Sequence, residues 1–225
     1  MRDFMSNMRF MMLWILGMLV ALFAAGVVST IILLLGSVTA VAIWGEEVAT
    51  ANPASAFLFI VIFLSTIGLM AGWIFGSIQK MLLRSRTNEP WRGWIFASII
   101  GGIIGIDVTV TLLMLQASQY IIWLVIPPPE TLFWVGLQVA IIPIGCLSLA
   151  QMVVLWRHVY GAWTWVLANI VAGLAIFSLI VAGAASWAVT PLWSLFLGIV
   201  IVGTPGIVTG FAMVWLIQTN WRHRR

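Results

Sequence analysis

Charge is what this chain has least of. Ten basic and six acidic side chains are spread over 225 residues, 7% of the sequence, against 63% hydrophobic residues and a mean hydropathy of +1.16. So few ionisable groups cannot clothe a soluble domain, which excludes an extramembranous catalytic domain and leaves a polytopic membrane protein. A lone cysteine, Cys146, excludes an intramolecular disulfide and leaves the redox compartment open. Histidine is scarce too: His158 and His223 both fall at the expected inner surface, so neither a bis-histidine haem site within the membrane nor a paired-His metalloprotease helix is available. One deep aspartate excludes an aspartyl dyad, and no deep lysine is present for a Schiff base. The chain therefore reads as non-enzymatic, with no cofactor and no metal.

The few charges that exist are informative by position. Runs free of Asp, Glu, Lys and Arg cover 10–45, 48–79, 93–106, 108–129, 131–156 and 158–221. A crossing helix needs roughly 20 apolar residues. Asp107 interrupts one helix without turn chemistry on either side, and the last run folds back at Thr190-Pro191, so the pattern predicts an all-α integral membrane protein with six spans. Their approximate limits are 11–44, 55–83, 94–126, 131–156, 162–189 and 192–219. The first run is far longer than the roughly 7 to 15 apolar residues of a signal peptide, so it is expected to remain as a span.

All ten basic residues then fall on one side: Arg2 and Arg9, the Lys80 to Arg92 group, Arg157, and Arg222, Arg224 and Arg225. Glu46, Glu47 and Glu130 fall on the other, which predicts cytoplasmic N and C termini in a bacterial inner or plasma membrane. The basic balance, with a pI near 10.2, thus reports membrane orientation and implies no nucleic-acid partner. Trp91, Trp94, Trp156, Trp163, Trp165 and Trp221 are expected as an inner aromatic belt, and Trp44, Trp123, Trp134, Trp187 and Trp193 as an outer one.

Internal repetition is the next signal. Gly72, Gly76 and Gln79 recur 72 residues later as Ser148 and Gln151, and a further offset of 62 brings Gly206, Gly210 and Met213 into the same columns. Trp14, Gly17, Ala21 and Ala25 on the first helix match Trp94, Ala97, Gly101 and Gly105. The chain reads as three copies of a helical hairpin, with rows of small residues that let backbones approach. On these residues it resembles uncharacterised bacterial multi-span proteins whose hairpins repeat a GxxxGxxQWxVLR-like pattern before a Trp-led helix. Gly72, Gly76, Gln79 and Arg84 keep that pattern best, Ser148, Gln151 and Trp156 weaken it, and Met213 loses the glutamine. The resemblance implies a fold type and no activity.

Asp107 is the only charged residue deep in a span, 13 residues past Trp94 or roughly 20 Å at 1.5 Å per residue. It is expected to be protonated, bound to a cation, or hydrogen-bonded to Thr111 and to groups on other helices; as a neutral acid it would serve as interhelical glue. Gln116 lies about 180° round the helix and is assigned another interface. Asn169, Gln138, Gln151 and Gln79 could line a central cavity or simply join helices. Pro143 and Pro205, separated by the repeat offset of 62, are expected to open the fourth and sixth helices at the depth of Asp107 and to share a polar pocket with it. Arg222, Arg224 and Arg225 are candidate lipid-headgroup ligands or topology anchors. Two functions follow: a transport or substrate-binding subunit for a small solute or lipid, and an assembly or scaffold subunit of a larger membrane complex. The expected partners are membrane lipids and other membrane subunits or further copies of the chain.

Overall fold

The computed structural model describes residues 2–44, 53–87, 89–121, 129–185 and 191–222. They form six helices, α1 (Arg2–Trp44), α2 (Pro53–Thr87), α3 (Trp94–Ile121), α4 (Pro129–Trp156), α5 (Trp163–Ala185) and α6 (Pro191–Arg222), with no strand among the described residues. Four are long and apolar enough to cross a membrane, over Met5–Ile43, Phe57–Thr87, Trp94–Gln116 and Phe133–Trp156. α5 adds a shorter apolar stretch, Trp163–Leu179. In hydrocarbon every backbone amide must bond within its own segment, which is why such apolar runs become uninterrupted helices.

Each helix packs on its neighbours in sequence, and α6 returns to α1, closing a ring. Small residues make the tightest seam. A Cβ on Gly72 would overlap the Ser98 carbonyl, and Gly68 and Gly102 face each other's backbones, so α2 and α3 meet backbone to backbone. Gly101 and Gly105 do the same towards α4 at Leu147 and Pro143. Without a hydrophobic force between helices in lipid, this close approach supplies the dispersion contact that holds them.

The two described turns at the basic end are short and use left-handed backbone. Trp91 (φ 43°) and Gly93 (φ 84°) turn α2 into α3, and Gly161 (φ 79°) turns α4 into α5. Trp91 tolerates its conformation because its indole N–H donates to Thr87 Oγ1 at 2.8 Å while its ring is buried against Trp94. Arg86, at the end of α2, donates to Ser6 and Asn7 and fastens the start of α1.

The core sits at the same end. Phe10, Trp14, Leu82, Leu83, Trp94, Leu155, Trp165, Met213 and Leu216 form one buried cluster level with the basic turns. This corrects the expected inner belt: Trp91, Trp94 and Trp165 are 3%, 0% and 0% exposed and belong to the core, whereas Trp156 and Trp163 face outward. Belt and core tryptophans occur at the same depth, so position along the chain does not separate them. What separates them is the helix face they occupy. On the other side Trp134 is exposed, and Trp123 and Trp187 lie outside the described residues.

α4 runs continuously through Pro143 and α6 through Pro205. The expected opening at matched prolines is therefore corrected. Around the prolines, Gly105 of α3 meets the Pro143 backbone closely, and within α6 the Pro205 carbonyl accepts the Thr209 hydroxyl at 2.5 Å.

Candidate functional site

Polar side chains gather where the ring is most closely filled. Gln151 on α4 is the hub. Its amide nitrogen donates to Gln79 Oε1 on α2 at 2.7 Å and to Ser98 Oγ on α3 at 2.8 Å, and its Oε1 accepts the Trp165 indole N–H from α5 at 3.0 Å. Four consecutive helices thus share one glutamine. Gln79 extends the chain to α1 by donating to the Met18 sulfur at 3.6 Å. Trp14 of α1 donates to Thr209 of α6 at 3.1 Å, so the closing seam also has a polar bond.

The tryptophans of alternate helices meet across the ring. Trp14 of α1 lies edge-on to Trp165 of α5 with centroids 6.0 Å apart, and Trp165 lies 6.2 Å from Trp94 of α3. All three are fully buried. Helices that are not neighbours in the ring can touch only across its interior, so these rings and the Gln79–Gln151 bond fill the centre at the basic end.

One donor is left over. Trp94 Nε1 is buried without a hydrogen-bond partner among the described residues. The other two central indoles each find an oxygen from an adjoining even-numbered helix, Thr209 for Trp14 and Gln151 for Trp165. An unmade buried donor costs about 1–3 kcal/mol, comparable to the net value of the bonds around it.

Asp107 lies nine residues beyond Ser98 on α3, roughly 13 Å along the helix, and is half-buried. Ser65 Oγ on α2 sits 2.6 Å from its Oδ1 and 2.7 Å from the Val61 carbonyl. The hydroxyl has one proton for two acceptors and shares it between the Asp107 carboxyl and the carbonyl one turn before it on α2. Thr111 does not reach this carboxyl: its hydroxyl donates to the Asp107 backbone carbonyl at 2.8 Å, and its side chain is exposed. That corrects the expected pairing. An i+4 threonine in a helix most easily turns back on the carbonyl one turn below it.

The remaining candidates are dispersed. Gln138 accepts from Gln116 at 3.0 Å in the α3–α4 seam, half a turn round α3 from Asp107. Asn169 is buried but donates to the Trp165 carbonyl of its own helix. Pro143 lies beneath Gly105, and Pro205 is buried on α6. With both proline helices continuous and the Asp107 carboxyl against α2, the expected pocket joining these residues does not form. Arg224 and Arg225 lie outside the described residues. Ser65 and Ser98 were not singled out from the sequence, because a serine in an apolar run gives no signal until its helix partner is known. No group of three or more His, Cys, Asp or Glu side chains comes together among the described residues.

Comparison with protein-family models, with curated proteins and with solved structures gives no match. The arrangement joins helices.

The unpaired indole gives a direct test. Trp94→Phe and Trp165→Phe remove similar ring volume, but only the second strands a buried carbonyl oxygen. Thermal or denaturant unfolding in detergent should show Trp165→Phe about 1–3 kcal/mol less stable than Trp94→Phe. Equal losses would show that the indole N–H of Trp165 contributes nothing.

Proposed function

We propose that this chain is a non-catalytic assembly or scaffold subunit of a larger membrane complex. The observation that carries the reading is the filled centre: Trp14, Trp94 and Trp165 meet across the ring together with the Gln79–Gln151 bond, where a solute pathway would have to pass. The outer surface adds support. From Thr30 to Ile43, α1 has a single stripe of less exposed residues, Ile32, Gly36 and Ala40, with Gly36 against Phe63 of α2. The rest of that stretch is exposed among the described residues and suits contact with another apolar helix. Gly26, Gly145 and Gly203 each face open space, and such positions allow a second backbone to approach.

A transport or substrate-binding role for a small solute or lipid is the second reading. It is favoured by the Ser65–Asp107 pair, a polar couple among apolar helices.

For the scaffold we propose six spans arranged as three hairpin copies, of the kind the GxxxGxxQ resemblance implies, with both termini cytoplasmic in a bacterial inner-membrane setting. The columns Gln79/Gln151/Met213 and Gly76/Ser148/Gly210 are buried throughout, as equivalent positions would be. Orientation rests on the basic residues. Single cysteines placed at Glu47 and Glu130 should react with an impermeant maleimide on intact cells, and one at Arg86 only after lysis. The reverse pattern would invert the topology.

The assembly role is tested in native membranes. Extracted in a mild detergent, the 24.8-kDa chain should migrate within a larger particle, and a photo-crosslinking residue at Leu34 or Val38 should yield a covalent protein adduct. Migration as a single chain without adducts at either position would remove the scaffold reading.

A further inference from the structure

The basic end carries a groove that none of the packing described above uses. It lies at the α4–α5 turn, encloses about 500 Å³, and is lined by Met152, Trp156, His158, Tyr160, Gly161 and Trp163 among others. The turn that forms it is held from within. Val159 and Ala162 are buried in the core, and Asn220 of α6 accepts from the Tyr160 N–H while donating to the Tyr160 carbonyl at 3.1 Å. Anchoring those residues leaves Trp156, Tyr160 and Trp163 pointing out, at 73%, 85% and 60% exposed.

Three large rings this exposed within eight residues are unfavourable in water. They are favourable at a membrane surface, where a ring's apolar body and polar tip both find partners. Arg157, also exposed, is the residue between Trp156 and His158 in sequence and so stands beside the groove; no acid is among the described lining residues, and Glu89 lines an adjoining pocket that shares His158 and Val159. The neighbouring α2–α3 turn differs on both counts: it carries Glu89 and tucks Trp91 inward.

We propose that this groove seats the phosphate-bearing headgroup of a membrane phospholipid. Arg157 pairs with the phosphate, and the rings of Trp156, Tyr160 and Trp163 pack on the glycerol and the first acyl carbons. Anionic lipids are preferred, because a zwitterionic headgroup brings its own cation to compete with Arg157. The proposal uses none of Arg222, Arg224 and Arg225, and it does not depend on the scaffold reading.

The test titrates the purified full chain with phosphatidylglycerol or phosphatidylcholine and counts retained lipid by native mass spectrometry. One phosphatidylglycerol per chain should be retained in preference to phosphatidylcholine. Arg157→Gln should weaken phosphatidylglycerol about fivefold, the effect of one basic residue near a lipid surface. The pair Trp156→Ala and Trp163→Ala should weaken both lipids, and Arg84→Gln, exposed at the end of α2, should change neither. Unchanged retention in Arg157→Gln, an equal loss in Arg84→Gln, or displacement of the lipid by inorganic phosphate would overturn the proposal. Each substitution is at an exposed position, and a monodisperse elution profile checks that the fold is kept; should the aromatic pair fail that check, Arg157→Gln alone decides.

Discussion

The amide of Gln151 is the contact on which the rest of the ring depends. In an apolar surrounding an unpaired amide is expensive, and this one is paired three times, with Gln79, Ser98 and Trp165. Those partners sit on α2, α3 and α5, so satisfying a single side chain fixes the register of four helices. Dispersion between small residues draws α2, α3 and α4 together but has little angular preference. The glutamine supplies the direction that close packing lacks.

From that lock the molecule is asymmetric along its length. At the basic end, side chains of alternate helices interdigitate, turns are short, and Arg86 and Asn220 tie neighbouring elements. Towards the other end α1 loses its partners except along the Ile32, Gly36 and Ala40 stripe. A helix of 43 residues is about 65 Å long, roughly twice the hydrocarbon thickness, so α1 has length beyond what crossing requires. The filled basic end is what the proposed scaffold role rests on.

Much of the helical architecture was legible because it rests on strong signals. Charge-free runs marked helices whose described limits fall close to expectation at Trp44, Trp94, Trp156 and Pro191, while α1 starts as early as Arg2. The glutamine column was legible as a recurrence, and its members are buried; that two of them bond to one another depends on side-chain reach across the ring, which spacing along one chain does not encode. The tryptophans misled because belt and core share a depth. Thr111 misled because a hydroxyl can turn to its own backbone as easily as to a neighbour. The prolines misled because a proline removes a single donor, and the remaining bonds of α4 and α6 carry both helices through it.

The most direct measurement is a double-mutant cycle on Gln79→Leu and Gln151→Leu, with stability read by reversible unfolding in mixed micelles. If Gln151 is the lock, each single change strands a partner, and the double variant is more stable than the sum of the two losses implies, by at least about 1 kcal/mol. Losses that add within about 0.3 kcal/mol would mean that the two glutamines do not hold each other, and that the ring is organised by the small-residue seams alone.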